Sequence, residues 1–285
     1  MDEEKNIFTL TPMSQKINLM AGQVYNGYIT VVNPYESTDE LIYKVEVAPY
    51  SIKDENYVAD FLSDSDRSLI VDWITVENPT GTLLPGEKAK VKYSIQVPEG
   101  APAGGQYAAF MVSSRNDETA DEGIMIKSIL EMASILYAGV DGEYVRKGEI
   151  AGIEMPGFIV KTPIGINSLL KNGGNIHETA KIFLEVRNAI LGDLVYPRTE
   201  GEGVYEEIIM PESTRYVTYE INEVPSLGIY NVSQTIEYMG ETYTANQMVV
   251  ACPIWFMALL IVTIIVSIAS IVFSARRRRL KKNVF

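Results

Sequence analysis

Lys90-Val-Lys-Tyr-Ser-Ile-Gln-Val97 alternates polar and apolar residues without a fault. Period two puts Val91, Tyr93, Ile95 and Val97 on one side of an extended chain. That is the pattern of a strand with one face buried and one wet. Working outward, Leu41-Ile-Tyr-Lys-Val-Glu-Val47 places Leu41, Tyr43, Val45 and Val47 on one face, and Arg215-Tyr-Val-Thr-Tyr-Glu-Ile221 nearly repeats the pattern. Turn signals separate these runs at Asn33-Pro34, Asn78-Pro79, Pro85-Gly86, Asn172-Gly-Gly174 and Met239-Gly240. Short alternating strands punctuated in this way specify antiparallel sandwiches.

The chain also repeats itself. Asn33 closes one strand and Val45-Glu46-Val47 follows twelve residues later; Asn172 closes another and Leu184-Glu185-Val186 follows at the same distance. Leu83-Leu84-Pro85 leads through Tyr93 and Val97-Pro98 to Gly105-Gln-Tyr107, and Ile209-Met210-Pro211 leads through Tyr219 and Val224-Pro225 to Gly228-Ile-Tyr230. The interval from proline to tyrosine is eight in both halves. The Val-Pro step ends a strand because proline cannot donate to the ladder. We read two copies of one seven-strand unit, an outer domain in residues 1–140 and a membrane-proximal one in 147–250, with Pro85, Tyr93 and Tyr107 matching Pro211, Tyr219 and Tyr230. The four tyrosines are expected to point inward. A final hairpin, Ile229–Tyr238 and Thr242–Val250, turns at Met239-Gly240-Glu241. Met125, Ile129, Met132 and Leu136 stand at helical spacing, which predicts a short helical turn before a strand from Ser134 to Gly139.

From Pro253 to Ala275 the chain runs for 23 residues without a charge. As a helix this stretch is about 34 Å long, enough to cross a bilayer. Thr263, Ser267 and Ser270 are compatible with lipid because their hydroxyls can bond back to helix carbonyls. Trp255 and Phe256 lie at one rim, where amphipathic rings are favoured. Arg276, Arg277, Arg278, Arg279, Lys281 and Lys282 follow at once, making residues 276–285 a basic cytoplasmic tail and placing residues 1–251 outside. The fold class expected is therefore all-β: two tandem immunoglobulin-like β-sandwiches followed by one C-terminal transmembrane α-helix. An exported domain needs a signal sequence, and Met1-Asp-Glu-Glu-Lys-Asn6 is not one. The signal either has been removed, with Met1 in its place, or precedes Met1. A tail-anchored protein facing the cytosol is the alternative, against the charge rule.

The six tail cations leave 18 basic residues against 37 acidic ones in residues 1–251, a net charge of −19. Charge alone then opposes nucleic acid and anionic polymers as partners. The single cysteine, Cys252, rules out an intramolecular disulfide; at the membrane edge it reads as a buried thiol, with lipidation the alternative.

Several of these residues resemble a known architecture. Phe8-Thr-Leu-Thr-Pro12, the Asn33-Pro34 strand end, Gly100-Ala-Pro-Ala-Gly-Gly-Gln-Tyr-Ala-Ala-Phe110 and Asn172-Gly-Gly-Asn-Ile-His177 look like the WxL-interacting surface proteins of Gram-positive bacteria. They look still more like related membrane-anchored surface proteins of candidate-phylum bacteria. The likeness spans nearly the whole chain. It implies an exported protein whose outer domain, as in the better-known relatives, binds peptidoglycan and whose second domain binds a protein; adhesion is the role that goes with this reading. The matching motifs are turn and core residues, so no binding residue carries over.

No catalytic constellation is present. His177 is the only histidine, which excludes a two-histidine metal site, and it follows a turn. No Gly-x-Ser-x-Gly, phosphate-binding loop or dinucleotide fingerprint occurs. In Asp60-Phe-Leu-Ser-Asp64-Ser-Asp66, taking Asp64 as the first calcium ligand puts Leu69 where glycine is needed and Thr75 where glutamate is. Asn116-Asp117-Glu118 through Asp121-Glu122 reads as an acidic hairpin tip, and Asn231-Val-Ser233, a glycosylation pattern, falls inside a strand. The sequence thus points to a non-enzyme without cofactor or metal. Its expected partners are the bilayer, through the C-terminal helix, and cell-wall polymer or another surface protein. The alternative is a pilus-chaperone-like assembly factor acting by strand donation.

Overall fold

The computed structural model describes residues 8–62, 65–119 and 125–282, with the side chains of 115–129 and 277–282 left aside. The fold is all-β, two immunoglobulin-like β-sandwiches, followed by one apolar α-helix. By contacts the chain divides into two compact units. Unit 1 comprises residues 1–149 with 171–178 and 208–215; unit 2 comprises 150–170, 179–207 and 216–285.

The first half of the chain supplies β1 (Thr9–Thr11), β2 (Ser14–Leu19), β3 (Val24–Val32), β4 (Leu41–Pro49), β5 (Ser51–Ile52), β6 (Ala59–Asp60), β7 (Ile74–Val76), β8 (Thr80–Leu83), β9 (Lys88–Gln96), β10 (Gly104–Thr119) and β11 (Met125–Val140). They form two facing sheets, ordered β1-β3-β9-β7 and β2-β11-β10-β4-β8, with β5 and β6 paired apart. The alternation read in β9 is realised: Val91, Tyr93 and Ile95 are buried while Lys90, Lys92 and Gln96 are exposed. β4 does the same with Leu41, Tyr43 and Val45. These faces meet Ile29, Val31, Phe110, Val112 and Leu136 in one core.

The segment expected to open with a helical turn is instead strand throughout. β11 pairs with β10 at every residue from Thr119↔Met125 to Gly104↔Val140, so the helical spacing of Met125, Ile129, Met132 and Leu136 was coincidental. A ladder of sixteen residue pairs satisfies the backbone in a way that four apolar residues on a short helix cannot match. Leu136, Ala138 and Val140 join the sandwich core while Tyr137 between them joins a second buried cluster, the alternation of a strand.

The second half supplies β12 (Gly148–Glu154), β13 (Phe158–Ile159), β14 (Ile164–Asn172), β15 (Glu178–Asn188), β16 (Leu194–Tyr196), β17 (Val204–Ile209), β18 (Ser213–Ile221), β19 (Gly228–Tyr238) and β20 (Glu241–Ala251). One sheet runs β12-β14-β18; the other runs β13-β20-β19-β15-β16, with β17 also on β15. Ile166, Leu170, Ile182, Leu184, Val232 and Ile236 are fully or almost fully buried. The final hairpin turns through Met239 and Gly240, both at positive φ, between Tyr238 and Glu241. All four tyrosines expected inward, Tyr93, Tyr107, Tyr219 and Tyr230, are buried.

Helix α1 (Ile254–Lys282) begins two residues after β20 ends. Its segment Ile254–Arg276 is long and apolar enough to cross a membrane, and none of that surface is buried in the structure. Thr263 donates its hydroxyl to the carbonyl of Leu260 at 2.7 Å and Ser267 to that of Thr263 at 2.8 Å, so both polar groups are satisfied within the helix.

Candidate functional site

The sheet that carries β11 leaves one long edge open. On its inner side β11 is paired with β10 along its whole length. On its outer side β2 covers it only from Ile135 to Val140. Among the described residues no strand pairs with Met125–Ser134 on that side. The orientation of the donors follows from the bonds that are made. Ile135 donates its N–H outward to Met13 at 2.9 Å, and Asp141 to Leu19 at 2.8 Å. Period two therefore turns the N–H groups of Ala133, Glu131, Ile129 and Lys127 to the same open side. The other sheet edges of unit 1 are shorter: β1, β7 and β8 have three or four residues and β2 has six. Short edges resist pairing with other chains, whereas a long unpaired one invites it.

A second feature of unit 1 is an open cleft of about 860 Å³ whose lining includes Tyr50, Lys53, Arg67, Tyr107 and Glu212. Its walls are held by a polar network. The guanidinium of Arg67 donates to the carbonyl of Asn175 at 2.9 Å and to the Glu212 carboxylate at 2.8 Å. The main-chain N–H of Met210 donates to the Tyr57 hydroxyl at 2.7 Å, and that hydroxyl shares a 2.7 Å bond with Ser213. The Arg215 guanidinium lies 4.4 Å from the centre of the Tyr57 ring, within cation–π range. Both Tyr57 (φ 59°) and Glu212 (φ 55°) occupy the left-handed region that non-glycine residues avoid.

Behind the cleft His177 is packed against Tyr107 and Tyr137, ring centres 5.7 and 5.4 Å away. Its main-chain N–H donates to the Tyr107 hydroxyl at 3.0 Å, and that hydroxyl lies 3.3 Å from Nδ1. Burial, with the charge of Lys16 in a lesser part, pushes the imidazole down to about 4. A neutral ring with Nδ1 accepting from Tyr107 fits this geometry, and among the described residues no serine, threonine or cysteine is bonded to it. Burial raises the Tyr107 and Tyr137 hydroxyls well above the usual phenol value. His177 is a packing residue.

The remaining residues singled out by sequence fall as follows. Trp255 and Phe256 sit in the first turn of α1 with ring centres 5.6 Å apart, and Trp255 is exposed. Arg276 closes the apolar span, while the side chains of Arg277, Arg278, Arg279, Lys281 and Lys282 lie outside the described set. Cys252 is a free thiol of intermediate exposure. Asp60 accepts from the N–H of Leu62, and Asp64, Asp121 and Glu122 lie outside the described residues. Among the described residues no three His, Cys, Asp or Glu side chains are grouped to hold a metal ion. Tyr57, Arg67 and Glu212 went unnoticed in the sequence. A glutamate directly after Pro211, where the first half has Gly86 after Pro85, was the one available signal.

No family model matches the chain, and no curated protein matches it. Solved structures similar to it include the Class 5 fimbriae chaperone CfaA, at 12% identity and a TM-score of 0.39 over 85% of this chain and 99% of that one. Another is the Salmonella enterica SafA pilin in complex with the SafB chaperone, at 10% identity and 0.38 over 86% and 96%. A third is the E. coli chaperone DraB, at 13% identity and 0.37 over 85% and 96%.

Proposed function

We propose that this chain is a membrane-anchored, non-catalytic binding protein whose unit 1 takes up an extended segment of another protein along the outer edge of β11. In this reading α1 spans the bilayer, Arg276–Lys282 lie on the cytoplasmic side, and both β units stand outside. The carrying observation is the unpaired stretch Met125–Ser134, with its N–H donors turned outward beside a fully paired inner side. A strand added there extends the sheet by main-chain bonds, while side-chain pockets would supply selectivity. The net charge of −19 over residues 1–251 weighs against wall polymers of like charge and in favour of a protein segment. Two kinds of partner fit the same edge: a folded surface protein with a spare segment, and a subunit short of a strand that β11 would complete. The second is the assembly-chaperone form of the proposal.

Proline tests it cleanly. Lys127→Pro and Ile129→Pro each remove an outward N–H and leave the bonds to β10 in place. A photocrosslinker at Glu131 in cells should trap a protein through an extended segment, and each proline variant should abolish the adduct while remaining folded by circular dichroism. If the trapped protein fails to accumulate without this chain, the chaperone form holds. Adducts undiminished by proline, or binding to purified wall polymer in place of protein, would overturn the proposal.

A further inference from the structure

The end of unit 2 from which α1 emerges carries a ring of exposed apolar residues. β20 ends at Ala251 and the helix starts at Ile254. Three other segments reach the same level of the sheet. β13 pairs parallel to the end of β20, Phe158 with Val250 and Ile159 with Ala251, so its continuation, Val160, runs in the direction of the helix. Gly228 pairs with Ala251, which places Leu227 at that end. The turn between β15 and β16 does likewise, because the N–H of Ala189 donates to Ile229 at 2.8 Å and Ile229 pairs with Val250. Ile190 and Leu191 lie beyond Ala189, no more than about 7 Å past it for two residues of extended chain.

That turn is built to hold its apex outward. The side-chain oxygen of Asn188 accepts the N–H of Ile190 at 2.9 Å and that of Leu191 at 3.0 Å. The main chain of Asn188 closes the turn, accepting from Gly192 at 2.9 Å and donating to Asp193 at 2.8 Å. Gly192 adopts φ +78°, where a side chain would be strained. The result is two aliphatic side chains standing 76% and 72% exposed on a locked tip. Phe158, Val160 and Leu227 are exposed at the same level. The opposite end of the β19–β20 hairpin turns instead through Met239-Gly240-Glu241, which carries a carboxylate. A single exposed leucine needs no explanation, but five such residues from three separate loops, gathered around the base of an apolar helix, do.

We infer that this rim is a lipid-docking surface, with Ile190 and Leu191 inserted into the interfacial layer of the bilayer that α1 crosses. The inference rests on the proposed membrane span. Its occupant is lipid because the rim is continuous with the start of that span: a two-residue connection keeps the sheet end at the membrane surface, and the reach of the tip matches the roughly 5–10 Å depth of interfacial apolar side chains. Docking through a second set of contacts would hold unit 2 in a fixed attitude on the bilayer.

The test uses the full chain in phosphatidylcholine vesicles. In a Cys252→Ala background, Leu191→Cys, Ile264→Cys and Tyr243→Cys each carry an environment-sensitive fluorophore, with Ile190→Cys as a second reporter of the tip. Nitroxide placed shallowly in the acyl chains should quench the labels at 190 and 191 by at least about twofold, as expected for residues at interfacial depth. Deep nitroxide should quench the label at 264, and neither should affect the label at 243. Quenching at 264 without quenching at 190 or 191 would overturn the rim while leaving the span intact. A blue-shifted label at 191 that lipid nitroxide does not quench would point to a second protein copy on the rim and also overturn it. A water-exposed label at 264 would overturn the span itself.

Discussion

The side-chain nitrogen of Asn172 donates to the carbonyl of Ile209 at 3.0 Å, and that of Asn33 donates to the carbonyl of Leu83 at the same distance. Each asparagine ends a strand, is almost wholly buried, and ties that end to the residue two positions before a proline, Pro211 or Pro85. Each also closes the turn that follows, Asn33 through Asp39 at 3.0 Å and Asn172 through Ile176 at 2.8 Å. The correspondence extends to the tyrosines. A Cβ on Gly105 would lie 1.8 Å from the Tyr107 hydroxyl, and one on Gly228 would lie 2.5 Å from that of Tyr230. The same packing device, a tyrosine folded back over a glycine two residues earlier, occurs in both halves.

Replacing either asparagine by alanine strands two buried carbonyls. We expect Asn33→Ala to cost about 2 kcal/mol, since each orphaned group carries a penalty of about 1–3 kcal/mol that water partly relieves. Asn172→Ala should cost about 1 kcal/mol more, because the Asn172 side-chain oxygen also accepts the N–H of Gly174 at 2.9 Å. Urea unfolding of the full chain in mild detergent measures both, and equal or negligible losses would contradict the assignment.

Glu212 occupies the place that Gly86 holds in the first half, and both lie at positive φ. Glycine there has φ +83° at no steric cost, whereas the glutamate is strained and gains an ion pair with Arg67 that is largely solvent-exposed on the Glu212 side. Glu212→Gly and Glu212→Ala both lose that pair, but only the glycine relieves the backbone. The glycine variant should therefore be the more stable of the two by about 1 kcal/mol, the usual size of this strain. Thermal unfolding in detergent decides it. The inverse change, Gly86→Ala, should destabilise, and the added Cβ would also press on the ring of Tyr35.

Much of this architecture could be read from residue order because its determinants are local. Alternation in β4 and β9 follows from one wet and one dry face, and the repeat follows from asparagine, proline and tyrosine at matched intervals. β11 was misread because its period is set by sixteen pairings with β10, and sequence spacing does not report pairing. The open edge depends on where β2 begins, at Ser14, a fact held more than a hundred residues away. The same distance hides the cleft, whose Arg67–Glu212 and Tyr57–Ser213 contacts join residues 145 and 156 apart. Ile190 and Leu191 stood in plain view as an apolar turn, but only the register of β15, β19 and β20 brings them beside the helix.

His177 makes the stability of unit 1 depend on pH in a definite direction. Its folded value, about 4, lies below the ordinary 6.5, so the unfolded chain binds the proton first as pH falls. The contribution is fully present above about 6.5, is lost as pH drops from there towards 4, and changes no further below that. By pH 5 the loss should be about 2 kcal/mol. His177→Gln should remove this increment, leaving a shallower slope between pH 7 and 5. Unfolding midpoints at those two pH values, compared between wild type and variant, give the difference directly. Parallel slopes would mean that His177 titrates normally.

The proposed topology rests on charge asymmetry around a helix of sufficient length. Six cations follow the apolar span, and no Lys or Arg occurs in Met239–Cys252 before it. Moving that basic cluster across the bilayer is the costlier insertion, which is why the proposed topology keeps the tail inside and the β units outside. Protease added to spheroplasts should accordingly digest both units, cutting at exposed segments such as Arg198–Glu202, and leave a small membrane fragment containing α1 and the tail. Exchanging all six tail cations for glutamine should produce a mixed population in which part of the β region becomes protected. Complete protection of the wild-type β region would instead place it in the cytosol and make the chain tail-anchored.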